Sequence, residues 1–195
     1  MGKLTRIALA GEGGQGVQSV AEIITEAAYD SGREALYIPN FGVEQRGGVS
    51  IAFVQVSDHK IGAPKFQKAD IVVALSSRAV VRTNQYVGVN TVFVYDSGLE
   101  DVETNLPKVA GQIIGIPALE TAKLELDTRV FNVIIMGAVI KVTGVVTPEQ
   151  AKAALEKKLG HKFQENPQLR ELNFRALERG MELVNEMRGG TPHGK

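Results

Sequence analysis

The segment Gly11-Glu12-Gly13-Gly14-Gln15-Gly16 constrains the fold more than any other stretch of this chain. It follows a short β-prone run, residues 4–10 (LTRIALA). It precedes a segment in which Val17, Val20, Ala21, Ile24 and Ala28 recur at helical spacing. Gly32 is placed to end that helix, and residues 35–38 form a second apolar run closed by Pro39. Strand, glycine turn, helix and strand in this order predict the βαβ unit of a parallel sheet.

Residues 49–57 (VSIAFVQVS) carry β-branched and aromatic side chains with a period-two component. The Asp58-His59-Lys60 turn leading to Ile61 then predicts a hairpin or an antiparallel edge. Residues 71–75 and 91–95 read as buried parallel strands, with a weaker candidate at 112–114. From Pro117 the pattern turns helical, over 118–126 and 128–142. Another helix starts at Thr147-Pro148, and the segment 167–188 places Leu169, Leu172, Ala176, Leu183 and Met187 on one face. The expectation is an α/β fold: a Rossmann-like, three-layer, open and mostly parallel sheet with a helical C-terminal segment. Residues 1–188 are expected to form a single domain and 189–195 a disordered tail.

Composition removes several classes of function. The 195 residues suffice for one well-buried core. Lys plus Arg and Asp plus Glu both number 22, so zero net charge gives no electrostatic reason to expect nucleic acid or a membrane surface as partner. The chain has no cysteine, which excludes disulfides, thiolate nucleophiles and thiolate-bound zinc or iron–sulfur clusters on this chain. The N-terminus shows no signal-peptide pattern, and the longest apolar segment, 133–140, is too short to cross a bilayer, so a cytoplasmic location is expected. His59, His161 and His193 are dispersed without ligand spacing, and no catalytic residue or metal ligand is assigned to the chain.

The glycine turn satisfies G-x-G-x-x-G, in which glycines admit a tight turn and close approach of a phosphate to the helix N-terminus. A nicotinamide dinucleotide would want an acid at the end of the second strand. Here that strand ends Tyr37-Ile38-Pro39-Asn40, Glu34 lies before it rather than after it, and Glu12 would repel a pyrophosphate. The residues leave open a purely geometric turn, a phosphate-bearing ligand and a protein contact. A second cluster, Asn40-Phe41-Gly42-Val43-Glu44-Gln45-Arg46-Gly47-Gly48, sets Arg46 beside the bare amides of Gly47 and Gly48. It suits a phosphate or carboxylate, or else is a turn whose Glu44 and Arg46 pair with each other or with solvent. Asn132, on an otherwise apolar helix, is expected to make a structural bond to nearby backbone, and Gly137-Ala138 to permit close packing. Glu171 and Arg175 are expected to pair along a solvated helix face.

The G-x-G-G-Q-G and G-x-E-x-R-G-G motifs together make the chain resemble the gamma subunit, or gamma domain, of 2-oxoacid:ferredoxin (acceptor) oxidoreductases, the pyruvate and 2-oxoglutarate synthase family. The likeness extends over Ile61-Gly62-Ala63-Pro64, Ala69-Asp70, residues 71–75, Asn132 with Gly137-Ala138, and Asn173, Ala176 and Gly180. Val43 departs from it, standing where the family often has proline. The resemblance implies a complex that converts a 2-oxoacid and coenzyme A to acyl-CoA, carbon dioxide and reduced acceptor. It puts thiamine diphosphate with Mg2+, and the [4Fe-4S] clusters, on partner subunits of alpha, beta and iron–sulfur type, with ferredoxin or a similar acceptor reached through the complex. For this chain it implies a non-redox subunit, inactive alone, that packs on the catalytic subunits and helps bind coenzyme A. The contacts expected on that basis are Gly11, Gly13, Gly14, Gln15, Gly16, Glu44, Arg46, Gly47 and Gly48. Two alternatives are a free-standing nucleotide- or NAD(P)-binding enzyme and a purely structural assembly subunit.

Overall fold

The computed structural model describes residues 3–41 and 48–189. Its centre is a sheet of strands β1 (Leu4–Gly11), β2 (Glu34–Asn40), β3 (Ser50–Ser57), β4 (Ile71–Ala74), β5 (Val92–Asp96) and β6 (Gln112–Ile116), in the order β2-β3-β1-β4-β5-β6. β1, β4, β5 and β6 pair in parallel, and β3 runs antiparallel to both of its neighbours.

This order corrects two expectations. β1 and β2 are joined through helix α1 (Val17–Asp30) and run the same way, but β3 lies between them, so the unit is a split βαβ rather than a pair of adjacent strands. β3 is correspondingly an interior strand, neither an edge nor half of a hairpin with Ile61. The physical reason is burial on both faces. Ile51, Ala52, Val54, Gln55, Val56 and Ser57 are all buried, positions on both faces that suit an interior strand.

The faces of the sheet are covered unequally. One is covered by α1, α4 (Phe131–Thr143) and α6 (Pro167–Gly189), on which α3 (Ala118–Glu125) and α5 (Pro148–Glu165) pack in turn, forming the larger core around Ile7, Leu9, Ile24, Ile134 and Leu155. The other carries, among the described residues, the short helix α2 (Ser77–Thr83), the 3-10 turn Asn84–Tyr86 and irregular segments, with Ala8, Ala10, Val72, Val80 and Phe93 in a smaller core. No helix among the described residues is long and apolar enough to cross a membrane.

Several helix ends follow local chemistry. Thr147 and Gln150 close a capping box at the start of α5, with Pro148 at its first position. Gly32, at φ +82°, turns the chain out of α1. A 3-10 turn over Thr128–Val130, with the Asp127 carboxylate accepting from Arg129 N–H, precedes α4, so the helix proper begins later than the periodicity predicts. α6 continues through Gly189, and the rest of the expected tail, 190–195, lies outside the described residues. The helix charges pair across helices, Lys158 with Glu22, Arg170 with Glu156 and Arg179 with Glu125, and along α6, where Arg179 also meets Glu182 and Glu186.

Candidate functional site

The glycine turn stands at the carboxyl end of β1, where open α/β sheets receive ligands. Gly14 and Gly16 adopt left-handed backbone, at φ +91° and +74°. Gly16 is the N-cap of α1 and offers no side-chain acceptor, and the first helical turn carries no acid. The N–H groups of Val17, Gln18 and Ser19 therefore have no partner within the helix, and no carboxylate of its first turn screens the positive end of its dipole.

Gln15 holds this turn in place. Its Oε1 accepts from Glu12 N–H at 2.7 Å, and its Nε2 donates to the Leu75 carbonyl at the end of β4, also at 2.7 Å. Both ends of the amide are thus spent within the fold, so Gln15 shapes the turn rather than reaching outward. Gly11 is equally structural. A Cβ there would lie 2.7 Å from Gln15 Oε1 and 3.1 Å from Val17 Cγ1. Gly16 is close-packed on its other side, where an added Cβ would sit 2.8 Å from Asn132 Nδ2 and 2.9 Å from Asn132 Cβ. Asn132, in the first turn of α4, thus backs onto the glycine turn, a contact not expected from its position on an apolar helix.

Gly13 and Gly14 differ. A Cβ on either would meet nothing within 4 Å, and both are exposed. Nothing within the described residues requires glycine at Gly13, whose φ lies outside the left-handed range. The turn is clamped from behind and open in front.

Gly48, the described glycine of the second cluster, lies beside the same edge. Gly11 is in register with Ser50, and Ser50 Oγ stands 3.4 Å from the Gly11 carbonyl. Gly48, half-buried, leads into β3 at that point, while Glu44, Arg46 and Gly47, like Val43, lie outside the described residues. β2 ends one strand further out, with Asn40 opposite Ile51. The interposed β3 sets the end of β2 two strand spacings, about 10 Å, from the end of β1. A ribose-binding acid on a neighbouring second strand is therefore doubly missing: Asn40 stands where it would be, and that position is displaced. Arg33, at the opposite end of β2, is engaged by the Asp58 carboxylate and the Val145 carbonyl.

Beneath the turn, the Tyr37 hydroxyl donates to Gln18 Oε1 at 2.6 Å, and burial together with nearby Glu22 pushes this phenol up from its ordinary value. Sequence patterns also passed over an aromatic groove beside the end of β2, because Phe53, Phe66 and Tyr86 arrive from separate segments. Among the described residues, no three His, Cys, Asp or Glu side chains gather into a metal site.

Known proteins share this architecture. Residues 6–183 match the family model described as pyruvate ferredoxin/flavodoxin oxidoreductase. The chain is 30% identical over 183 residues to the ketoisovalerate oxidoreductase subunit VorA of Methanothermobacter thermautotrophicus, covering 93% of itself and 36% of that protein. Its structure superposes on the 2-oxoglutarate:ferredoxin oxidoreductase of Magnetococcus marinus, solved with 2-oxoglutarate, coenzyme A and succinyl-CoA bound. The TM-score is 0.85 at 26% identity, over 97% of this chain and 32% of that one. The keto/oxoacid ferredoxin oxidoreductase gamma subunit of Geobacter sulfurreducens superposes with a TM-score of 0.77 at 29% identity, over 93% of this chain and 99% of that one. The chain thus spans about a third of the first two proteins and nearly all of the third. With its split βαβ unit, clamped glycine turn and match over residues 6–183, the chain belongs to the pyruvate ferredoxin/flavodoxin oxidoreductase family.

Proposed function

We propose that this chain is the gamma subunit of a thiamine diphosphate-dependent 2-oxoacid:ferredoxin oxidoreductase and that its glycine turn helps bind coenzyme A. One observation carries the second part. The turn is rigidly clamped on its inner side by Gln15, Leu75 and Asn132, yet it presents Gly13 and Gly14 to open space above an uncapped helix N-terminus. Coenzyme A is rich in phosphate, and backbone amides with a positive helix end favour such a group. A nicotinamide cofactor would want an acid for its ribose on an adjacent second strand, or an arginine free for a 2′-phosphate; Asn40, the interposed β3 and the engaged Arg33 supply none of these.

The residues present fit this division of labour. Without cysteine the chain supplies no thiolate for a cluster, so the clusters and thiamine diphosphate belong to partner chains, which carry out the carbanion and electron-transfer chemistry. The part left to this chain is to bind and orient the acyl acceptor. Gly13–Gly16 amides and Arg46, with Gly47 and Gly48 beside it, are the groups proposed to hold its phosphates. The cytoplasm is the proposed location, and the other subunits, with ferredoxin or a similar acceptor, are the proposed partners.

Replacing Arg46 with Ala in the assembled complex should raise the KM for coenzyme A by roughly tenfold, the loss of one charge-assisted contact of about 1.5 kcal/mol. The KM for the 2-oxoacid should stay nearly unchanged. An unaltered coenzyme A dependence would remove Arg46 from the site.

A further inference from the structure

Part of the segment between β3 and β4, residues 61–68, crosses the sheet face opposite α1 as a strap. Gln55, in register with Arg6 of β1, holds the strap down by donating from Nε2 to the Ala63 carbonyl at 2.8 Å. Lys68 fixes its far end, with Nζ donating to the Gln85 and Val87 carbonyls at 2.9 Å. Between the strap and the amino end of β1 lies a cavity of about 420 Å3, lined by Leu4, Arg6, Ile61, Lys65, Phe66 and Gln67. Arg6 alternates along β1 with Ile7 and Leu9 of the larger core, which puts it on the same face as Ala8 and Ala10 of the smaller one. It precedes Gly11 by five residues, about 17 Å of strand, so the cavity and the glycine turn stand at opposite ends of β1.

Among the described residues three arginines are partly buried: Arg6, Arg33 and Arg179. Arg33 pairs with Asp58, and Arg179 with Glu125, Glu182 and Glu186. The Arg6 backbone N–H donates to Asp70 Oδ2 at 2.7 Å, but its guanidinium has neither an ion pair nor a hydrogen bond among the described residues. A half-buried guanidinium in that position has lost part of its hydration without replacing it, and an anion supplies what is missing. Lys65 brings a second cation, and Lys68, although engaged with carbonyls, keeps its charge in the same wall. Asp70 offsets one of these three charges, so the cavity is cationic in a chain of zero net charge. Leu4, Ile61 and Phe66 make the rest of the lining apolar. The volume, near the lower end of the range for small-molecule sites, suits a short carbon chain charged at both ends.

We propose that this cavity binds a small organic dianion of the dicarboxylate or phosphate-monoester class. The Arg6 guanidinium donates to one anionic group, Lys65 faces the other, and the carbon chain lies against Ile61 and Phe66. The bound anion ties the strap to β1. The site is separate from the coenzyme A reading and stands or falls without it.

The test is calorimetric titration of the full chain with glutarate and with glycerol 3-phosphate, for the parent, Arg6→Met, Lys65→Met and Gly13→Ala. Methionine keeps the apolar stem of either side chain and removes the charge. Lys65 is exposed, so its variant carries the test even if Arg6→Met does not fold. The expected result is saturable one-to-one binding of at least one probe to the parent. Arg6→Met should weaken it roughly tenfold and Lys65→Met severalfold, while Gly13→Ala leaves it unmoved. Which probe binds tells a carboxylate site from a phosphate site. Binding unchanged in both Arg6→Met and Lys65→Met would overturn the assignment, as would binding lost only in Gly13→Ala, which would put the anion on the glycine turn. If neither probe binds the parent at millimolar concentration, the proposal falls. Impaired assembly of the complex with Arg6→Met would then assign the cavity to an acidic side chain of a partner subunit.

Discussion

At the end of β5, Asp96 is 3% exposed, and its carboxylate accepts from Gly98 N–H at 2.9 Å and from Leu119 N–H, in the first turn of α3, at 3.0 Å. A strand residue thereby supplies the acceptor that Pro117, at the N-cap, cannot. Burial nevertheless outweighs these bonds and raises the carboxyl above its ordinary value of 3.8. The folded chain keeps this proton to higher pH than the unfolded chain does. The associated stability is complete below the unfolded value and is lost as pH rises through the folded one. Asp96→Asn removes the proton and with it the slope. Against the parent, the variant should carry a fixed cost of about 1–3 kcal/mol for one backbone N–H left without an acceptor. That deficit should shrink as pH rises from about 4, measured as urea midpoints across the acid range. A deficit independent of pH would mean that the burial of Asp96 is not linked to folding. The glycines of the turn divide in the same spirit: Gly11 and Gly16 are demanded by the side chains packed on them, whereas Gly13 is demanded by nothing inside the described residues.

Among the elements, α4 and α6 pack at very close range. A Cβ on Gly137 would fall 2.1 Å from the Leu177 carbonyl oxygen, and one on Gly180 would fall 1.9 Å from that of Ile134. The two helices touch backbone to backbone, which only glycine permits. Gly180→Ala should therefore cost stability at or beyond the top of the roughly 1–3 kcal/mol range for overpacking, read from chemical denaturation. Gly160→Ala in α5 is the control. Its Cβ would meet nothing within 4 Å, so the variant should gain up to about 1 kcal/mol from helix propensity. Equal effects at the two positions would show that α4 and α6 can part without penalty. The sequence carried the signals for the helices because these are local: the Thr147-Pro148 start, Gly32 and the stripe in α6 are read within a few residues. It did not carry the strand order, because no residue of β1 or β2 records that β3 will lie between them. The nearest clue was in β3 itself, whose run of buried positions fits an interior strand better than the edge its following turn implied. The turn at Gly11–Gly16 was legible because its glycines encode backbone angles. The aromatic groove was not, since its rings come from β3, the segment between β3 and β4, and the turn after α2.

For the whole molecule, the consequence of the strand order is that the glycine turn, Gly48 and the aromatic groove lie along one edge of the sheet, at the carboxyl ends of β1 and β2. Zero net charge and exposed apolar side chains such as Phe41, Val89 and Leu124 accord with a chain that works packed among others. The central claim is that the open front of the glycine turn receives coenzyme A, and Gly13 isolates it. A methyl group there meets no atom of the described chain, yet it would stand between the backbone and any ligand lying on it. The decisive measurement is the KM for coenzyme A of the assembled complex carrying Gly13→Ala, taken beside its thermal midpoint. The account predicts a rise of roughly tenfold or more, with the midpoint and the 2-oxoacid KM unchanged. An unchanged coenzyme A KM in a stable, fully assembled complex would contradict it.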